Sequence, residues 1–575
     1  MNYREVYEQW LNNPYFDEAT KEELRDLEGN EAEIKDRFYK ELEFGTAGLR
    51  GKIGAGTNRM NPYIVARATQ GLAEVIKSNG QVFMDRGVAI AYDCRHYSDV
   101  FAKTAALVLV ANGIKVYLFE GLRPTPELSF AVRHFNCGSG IVVTASHNPQ
   151  EYNGYKVYWD DGAQILPEIS NVVTEAILKI QDFESIPMAD ETEALATGQL
   201  VMIGKDVDDL YIERVKALSL RDEELDKSLK IVYTPLNGTG NVPVRRVLEE
   251  RGFENVYVVP EQEMPDPDFT TVGYPNPEDT KAFAYAERLG KEKDADLLIA
   301  TDPDCDRLAV EVKNAEGGYT AFNGNQTGAI LVQYLLESYT ELGTMPENPA
   351  IVKSIVTGDL AKVIAQGYGV KTFEALTGFK NICMWAKIWE ETKAQTFVFG
   401  YEESIGFLTG DFVRDKDAVN SAMFLAEAAA YYRTKGKTLL DVLEEVFEKH
   451  GYYRERQVAL VLEGMEGAER IKRMMKFYRA NYPKEVGGMK LLAATDFAVQ
   501  ERANMETGKK EKIEIPPTNG LKFEMEGESW YALRPSGTEP KIKLYLYSKA
   551  QTAAEAEDKL DRLEEGVLAE LNSIE

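Results

Sequence analysis

Asp296 to Ala300 (DLLIA) runs directly into Thr301-Asp302-Pro303-Asp304-Cys305-Asp306-Arg307. The short apolar run reads as a buried strand, and the proline-containing acidic stretch after it reads as a tight loop. Working outward, the same rhythm recurs. Val88 to Asp93, Lys115 to Glu120 and Ile141 to Thr144 precede it, as do Lys230 to Thr234 and Val256 to Val259. Ile351 to Val356 and Thr396 to Phe399 follow. Helical stretches such as Phe101 to Ala111 lie between, and strands separated by helices of that size predict α/β units with crossover connections. Three such blocks in a row predict a repeated domain, although no strict sequence repeat links them.

Polar, glycine-containing stretches mark the boundaries near 190–205, near 313–319 (KNAEGGY) and after His450. Four domains follow: 1–205, 206–318, 319–452 and 453–575. The last changes pattern, with strands at Gln457 to Leu462 and Lys490 to Ala494 around a helix at Ala468 to Tyr478. It closes on a helix with a Thr552/Glu555 capping box and an apolar face of Leu560, Leu563, Val567 and Leu571, so it reads as a smaller α+β domain.

The chain has 575 residues, 44% hydrophobic and 28% charged, enough for a core in each domain. Its formal net charge of −28 disfavours nucleic acid and anionic membranes as partners, and any anion site must be a local basic concentration inside a cleft. The N-terminus MNYREVYEQW lacks the apolar segment of a signal peptide, and no run of 18 apolar residues appears. Four scattered cysteines form no C-x-x-C pair, as expected of a reduced cytoplasmic protein. With only four histidines besides, a metal would be a hard cation held by oxygen rather than zinc.

Three aspartates at alternate positions, Asp302, Asp304 and Asp306, can turn their oxygens onto one cation. Together and unpaired they would repel, so a metal or basic partners must be near. Few oxygen ligands on a tight loop suit Mg2+. An EF-hand fails, because Arg307 and Lys313 stand where that loop needs Gly and Glu. A phosphatase with Asp-x-Asp after a strand stays open. Ile141 to Thr144 likewise delivers Ala145-Ser146-His147-Asn148-Pro149, with Lys156 nearby. Ser146 is a nucleophile only if a base or metal activates it. A plain turn is an equal reading, and a Ser-His hydrolase a weaker one, since sequence neighbours rarely make that hydrogen bond.

Two further loops are less telling alone. Thr396 to Phe399 ends in Gly400-Tyr401-Glu402-Glu403-Ser404-Ile405-Gly406, whose acceptors suit sugar hydroxyls, and Thr377-Gly378-Phe379-Lys380 lies ahead of it. Arg534-Pro535-Ser536-Gly537-Thr538-Glu539-Pro540-Lys541 sits between strand-like runs at Trp530 to Leu533 and Ile542 to Tyr547. Its guanidinium, hydroxyls and free N–H groups would make a nest for a dianion; a hairpin turn with a surface arginine is the plainer alternative.

The four motifs, in this order, resemble the α-D-phosphohexomutase superfamily: T-A-S-H-N-P its phosphoserine loop, D-x-D-x-D-R its metal loop, G-x-E-x-S its sugar loop and R-P-S-G-T-E-P its phosphate loop. Phe44 to Gly51 (FGTAGLRG) and Pro275 to Glu278 (PNPE) match too, and the resemblance covers roughly residues 40 to 550. GYEESIG is similar to the long branch containing phosphoglucomutases and phosphopentomutases.

The resemblance implies three related α/β domains with mixed sheets plus a smaller fourth, around a central cleft. It implies that Ser146 is phosphorylated, and that its phosphate with Asp302, Asp304 and Asp306 holds one Mg2+. Arg307 would lie beside it, with Lys416 in acid–base work and His147 and Lys156 as further catalytic candidates. Glu402 and Ser404 would contact the sugar. Arg534, Ser536, Gly537, Thr538 and Lys541 would hold the non-reacting phosphate, with Arg50, Thr377 and Gly378 completing the substrate site. The basic residues of the motifs, Arg414 and Lys380 among them, would line the cleft. The implied reaction interconverts glucose 1-phosphate and glucose 6-phosphate through glucose 1,6-bisphosphate, with pentose or mannose phosphates as alternatives. A monomer or homodimer acting on small sugar phosphates is expected.

Overall fold

The computed structural model describes residues 2–46, 48–462, 464–536 and 540–574. The first sheet contains β1 (Gly48–Lys52), β2 (Val88–Tyr92), β3 (Val116–Phe119), β4 (Ser139–Val143), β5 (Tyr152–Trp159) and β6 (Leu200–Ile203), in the order β1-β5-β4-β2-β3-β6. β4, β2, β3 and β6 are parallel; β5 runs antiparallel to β4 and to β1. The second contains β7 (Ile231–Thr234), β8 (Val256–Val258), β9 (Leu297–Thr301), β10 (Leu308–Lys313) and β11 (Tyr319–Phe322), in the order β11-β10-β9-β7-β8. The third contains β12 (Pro349–Ser354), β13 (Lys371–Ala375), β14 (Thr396–Glu402) and β15 (Gly406–Thr409), in the order β13-β12-β14-β15.

All three sheets are mixed, as the resemblance implied, and they share one device. A parallel strand ends in a short loop and returns as an antiparallel neighbour: β4 to β5, β9 to β10 and β14 to β15. Each loop contains a residue in the left-handed region at φ 53°, namely Ser146, Cys305 and Ile405. Such a conformation costs a non-glycine residue about 1–3 kcal/mol and persists only where surrounding structure enforces it. The repeat sought in the sequence is therefore present in backbone geometry, where unrelated side chains can occupy equivalent places.

The fourth sheet contains β16 (Tyr452–Val461), β17 (Glu485–Val486), β18 (Met489–Asp496), β19 (Glu501–Asn504), β20 (Lys510–Lys512), β21 (Leu521–Met525), β22 (Ser529–Pro535) and β23 (Lys541–Ala550), antiparallel throughout. The helix Ala553–Ser573 lays Leu560, Leu563, Val567 and Leu571 into its core. Thr552 caps that helix through Glu555 N at 3.3 Å, the first half of the expected capping box.

The stretch 313–319, expected as a boundary, is instead the turn joining β10 to β11, whose register pairs Lys313 with Tyr319. The second sheet thus runs to Phe322. Its glycines serve a hairpin, which composition does not distinguish from a linker. Ahead of the first sheet, the helices Tyr3–Asn12, Glu18–Arg25 and Glu31–Phe38 close over an aromatic cluster of Trp10, Phe16 and Phe38, a module not anticipated from the sequence. One continuous apolar core joins the second and third sheets to a face of the first.

Candidate active site

The β4–β5 loop holds Ser146, which is only 4% exposed. Its Oγ lies 2.8 Å from Asp302 Oδ2 and 3.2 Å from His147 Nδ1. The neighbour pairing that the sequence disfavoured does form, because left-handed backbone at Ser146 turns the two side chains to the same side. Burial and the positive charges of Arg307 and Arg50 push the His147 imidazole down to about 2, so it is neutral at physiological pH.

Behind the loop stands a scaffold that sequence reasoning missed. Ser146 N donates to Thr144 Oγ1 at 2.8 Å, and Thr144 Oγ1 donates to Asp93 Oδ2 at 2.6 Å. Arg95 is ion-paired to Asp93 at 3.3 Å with both side chains fully buried. Its guanidinium gathers four carbonyls: Ser146 and Asn148 at 2.5 Å each, Pro149 at 2.9 Å and Tyr152 at 3.1 Å. The sequence signal was there, since Asp93 and Arg95 directly follow a strand as the recognised loops do.

The β9–β10 loop brings Asp302, Asp304 and Asp306 together, each at most 2% exposed. One oxygen from each lies within 4.8 Å of the others. Asp302 Oδ1 is satisfied by the amides of Asp306 and Arg307 at 3.1 and 3.0 Å. Asp304 Oδ2 accepts from Lys156 Nζ at 2.6 Å and from Thr125 Oγ1 at 2.9 Å. Lys416 Nζ reaches Asp306 Oδ2 at 2.9 Å. Asp304 Oδ1 and Asp306 Oδ1 remain buried without a hydrogen-bond partner. Buried carboxylate oxygens left so are costly, and a hard cation fits the orphaned pair. This group could hold a metal ion.

Burial alone would lower Lys156 and Lys416, but the aspartates outweigh it and hold both ammoniums above the usual lysine range. Burial, with Asp304 and Asp306 adding to it, lifts the Asp302 carboxyl well above the usual range. Arg307 passes from this loop to the third domain, where Nη1 donates to Ser404 O at 3.3 Å. Arg50, on β1, lies within electrostatic reach of Asp304, Arg307 and Asp306.

Glu402, at the end of β14, is 8% exposed and accepts from Gly378 N at 2.7 Å, which joins the two loops expected to meet sugar. Thr377 precedes Gly378, and its carbonyl accepts from Asn381 Nδ2 at 2.9 Å. Gly406 is required here, because a Cβ at that position would stand 2.3 Å from the Lys416 side chain. In the fourth domain Arg534 lies on β22 opposite Lys543 on β23, and Ser536 N donates to Lys541 O at 2.8 Å. Gly537 and Thr538 lie outside the described residues. Lys543, not singled out from the sequence, faces Glu403, Lys541, Glu278 and Arg534. One expected cleft residue is elsewhere: Arg414 is wholly buried, paired with Glu390 Oε2 at 2.7 Å, because its backbone N–H is drawn onto Ser129 Oγ at 2.8 Å.

Models of the phosphoglucomutase/phosphomannomutase family match three consecutive stretches: alpha/beta/alpha domain I over 41–184, domain II over 209–317 and domain III over 323–450. A phosphoglucomutase of Staphylococcus haemolyticus is 38% identical over 509 residues, 88% of this chain and 90% of that protein. One from Staphylococcus epidermidis is 38% identical over 541 residues, covering 93% and 96%. The open form of Paramecium parafusin shares the fold, with a TM-score of 0.68 at 17% identity, covering 93% of this chain and 95% of that one. With three successive family domains matched and close identity over nearly its whole length, the chain belongs to the phosphoglucomutase branch of the phosphoglucomutase/phosphomannomutase family.

Proposed function

We propose that this protein is a phosphoglucomutase that carries its phosphoryl group on Ser146. The observation that carries the reading is a buried serine hydroxyl 2.8 Å from one carboxylate of a triad with two orphaned oxygens. A phosphatase reading leaves this serine and the basic β22–β23 hairpin without work.

Asp302, Asp304 and Asp306 would hold one Mg2+ with an oxygen on Ser146. When bound, that ion supplies neutralisation of the phosphoryl oxygens as charge shifts between them. The chain's own residues do the rest. Lys156, Lys416 and Arg307 place three fixed cations around the transferring group in a site where they need no reorganisation. Lys416, held as an ammonium by Asp306 and Asp415, offers no free base, and any acid–base part for it would need those carboxylates to be drawn onto the cation first. Glu402, Ser404, Thr377 and Gly378 would orient the sugar hydroxyls. Arg534, Ser536, Gly537, Thr538 and Lys541 would bind the phosphate that does not react. Phospho-Ser146 would give its phosphoryl to the free hydroxyl of glucose 1-phosphate. The resulting glucose 1,6-bisphosphate turns over and returns its other phosphoryl to Ser146, releasing glucose 6-phosphate. The protein handles only small sugar phosphates in this reading. No helix among the described residues is long and apolar enough to cross a membrane.

The test is an assay with Mg2+ and a trace of glucose 1,6-bisphosphate, comparing glucose, mannose and ribose 1-phosphates. Glucose 1-phosphate is expected to give the highest kcat/KM, and Ser146→Ala to be inactive. Intact-mass spectrometry should find an adduct of about 80 Da on Ser146. Free phosphate accumulating without isomer would sink the proposal.

A further inference from the structure

Lys380 lies in the first turn of the helix Phe379–Thr392, directly after Gly378, the N-cap residue at φ 101°. Its ammonium leaves the third domain and donates to two backbone carbonyls of the first, Thr46 O at 2.8 Å and Ile165 O at 3.0 Å. Those carbonyls lie just outside two neighbouring strands of the first sheet, β1 and β5. Thr46 precedes β1, the strand of Arg50. Ile165 follows β5, the strand of Lys156, and is tied back to it by Ile165 N to Val157 O at 3.0 Å. On the other side, Gly378 N is bonded to Glu402 Oε1 at 2.7 Å. One side chain therefore links the sugar loop to the segments bordering β1 and β5, the strands that carry Arg50 and Lys156.

We propose that Lys380 is a positioning residue, a clasp that fixes the Glu402–Gly378 loop of the third domain at a set distance from the Ser146 side of the cleft. The proposal rests on the mutase reading and extends it to a residue that touches no reacting atom. The sugar ring must span this gap, so the gap's width governs how well a bound hydroxyl meets the phosphoserine. A charge-assisted donor to carbonyls is stronger than a neutral one, and a lysine ammonium offers three donors where the amine offers two.

The clasp has a titration of its own. Burial pushes the Lys380 amine down to about 8, with Glu168 opposing. Glu168 lies in the helix Pro167–Lys179. The other segments packed against the ammonium, 44–46 and 163–166, carry no charged side chain. Among the described residues Lys380 forms no ion pair. The clasp is thus complete below that pH and weakens above it.

Lys380→Met and Lys380→Arg test it in the full chain. Lys380→Met is expected to raise KM for glucose 1-phosphate about tenfold with a smaller change in kcat, since misplacement loosens binding and alignment. Lys380→Arg, whose fork can reach both carbonyls, should recover most of that loss. KM of the unmodified protein should rise above pH about 8, whereas Lys380→Arg, charged throughout, should stay flat. Hydrogen exchange over residues 44–50 should quicken in Lys380→Met. A KM within about twofold of the unmodified protein in Lys380→Met, whatever its melting temperature, overturns the clasp. An alkaline rise that persists in Lys380→Arg does so too. If the unmodified protein isomerises no sugar phosphate, the function reading fails by itself. Exchange then decides the clasp, and an unchanged exchange rate over 44–50 refutes it.

Discussion

Ser146 is held by what surrounds its backbone as much as by what meets its hydroxyl. Arg95 spans four carbonyls of the loop and is the buried partner of Asp93. Removing it would leave the Asp93 carboxyl, which burial already raises above the usual range, without its cation. Arg95→Met is expected to destabilise the protein by about 3–5 kcal/mol, as breaking one side of a buried pair does. It should also lower kcat, because the left-handed turn at Ser146 loses its enforcement. Thermal unfolding and the mutase assay check both. Asp93→Asn placed in the Arg95→Met background should recover part of the stability and little of the kcat. Recovery of both would mean that Arg95 serves stability alone. Ser146, the three aspartates and Arg307 were legible as residue types from the sequence. Arg95 and Asp93 were legible only as polar residues directly after a strand; that the guanidinium gathers the loop's carbonyls while Asp93 takes the Thr144 hydroxyl is displayed by no side-chain pattern.

At the scale of elements, the recurring unit is a parallel strand, a loop with one left-handed residue, and an antiparallel return. The strand–loop half was readable from apolar runs that end at polar residues. The return was not, so the glycine-containing β10–β11 turn reads from the sequence as a boundary. The same unit carries a buried liability. Glu311, on β10, is 3% exposed, and its Oε2 has no hydrogen-bond partner. Burial, with Glu287 nearby, raises its carboxyl from 4.5 to about 7. A carboxyl raised on folding is protonated in the native state while ionised in the unfolded chain. Its contribution is complete below pH 4.5 and is lost as pH rises through 7, at most about 3 kcal/mol. Glu311→Gln should therefore flatten the fall in melting temperature between pH 5 and pH 8 and be the more stable form at pH 8. Parallel melting curves for the two proteins across that range would refute the assignment.

For the whole molecule, the candidate site exists only where the domains meet. Thr125 and Lys156 of the first domain and Lys416 of the third converge on carboxylates of the second. The fourth domain docks onto the third through Tyr547 OH to Val356 O at 2.7 Å and Trp530 Nε1 to Asp359 Oδ2 at 2.9 Å. The result is a local concentration of cations inside a chain of net charge −28. In the proposed function near contacts would hold the substrate phosphate, while the distant acidic surface would repel it. Raising ionic strength from 0.05 to 0.5 M shortens the screening length from roughly 14 to roughly 4 Å, which screens the repulsion first. The on-rate for glucose 1-phosphate should therefore rise at moderate salt, and KM should climb only at higher salt as the cleft contacts weaken. A KM that climbs steadily from the lowest salt would mean that the cleft's own field dominates at long range.

By itself the sequence determined the succession of apolar strand–loop units with helices between them, the donor types on each loop and the acidic balance, since these are local or additive properties of the chain. Tertiary structure decided which loops face one another and that two lysines neutralise the aspartates rather than wait as free bases. It turned Arg414 away from the cleft and carried Lys380 across to another domain. Each of these depends on distances between residues more than a hundred positions apart, and such distances are set by how the sheets pack.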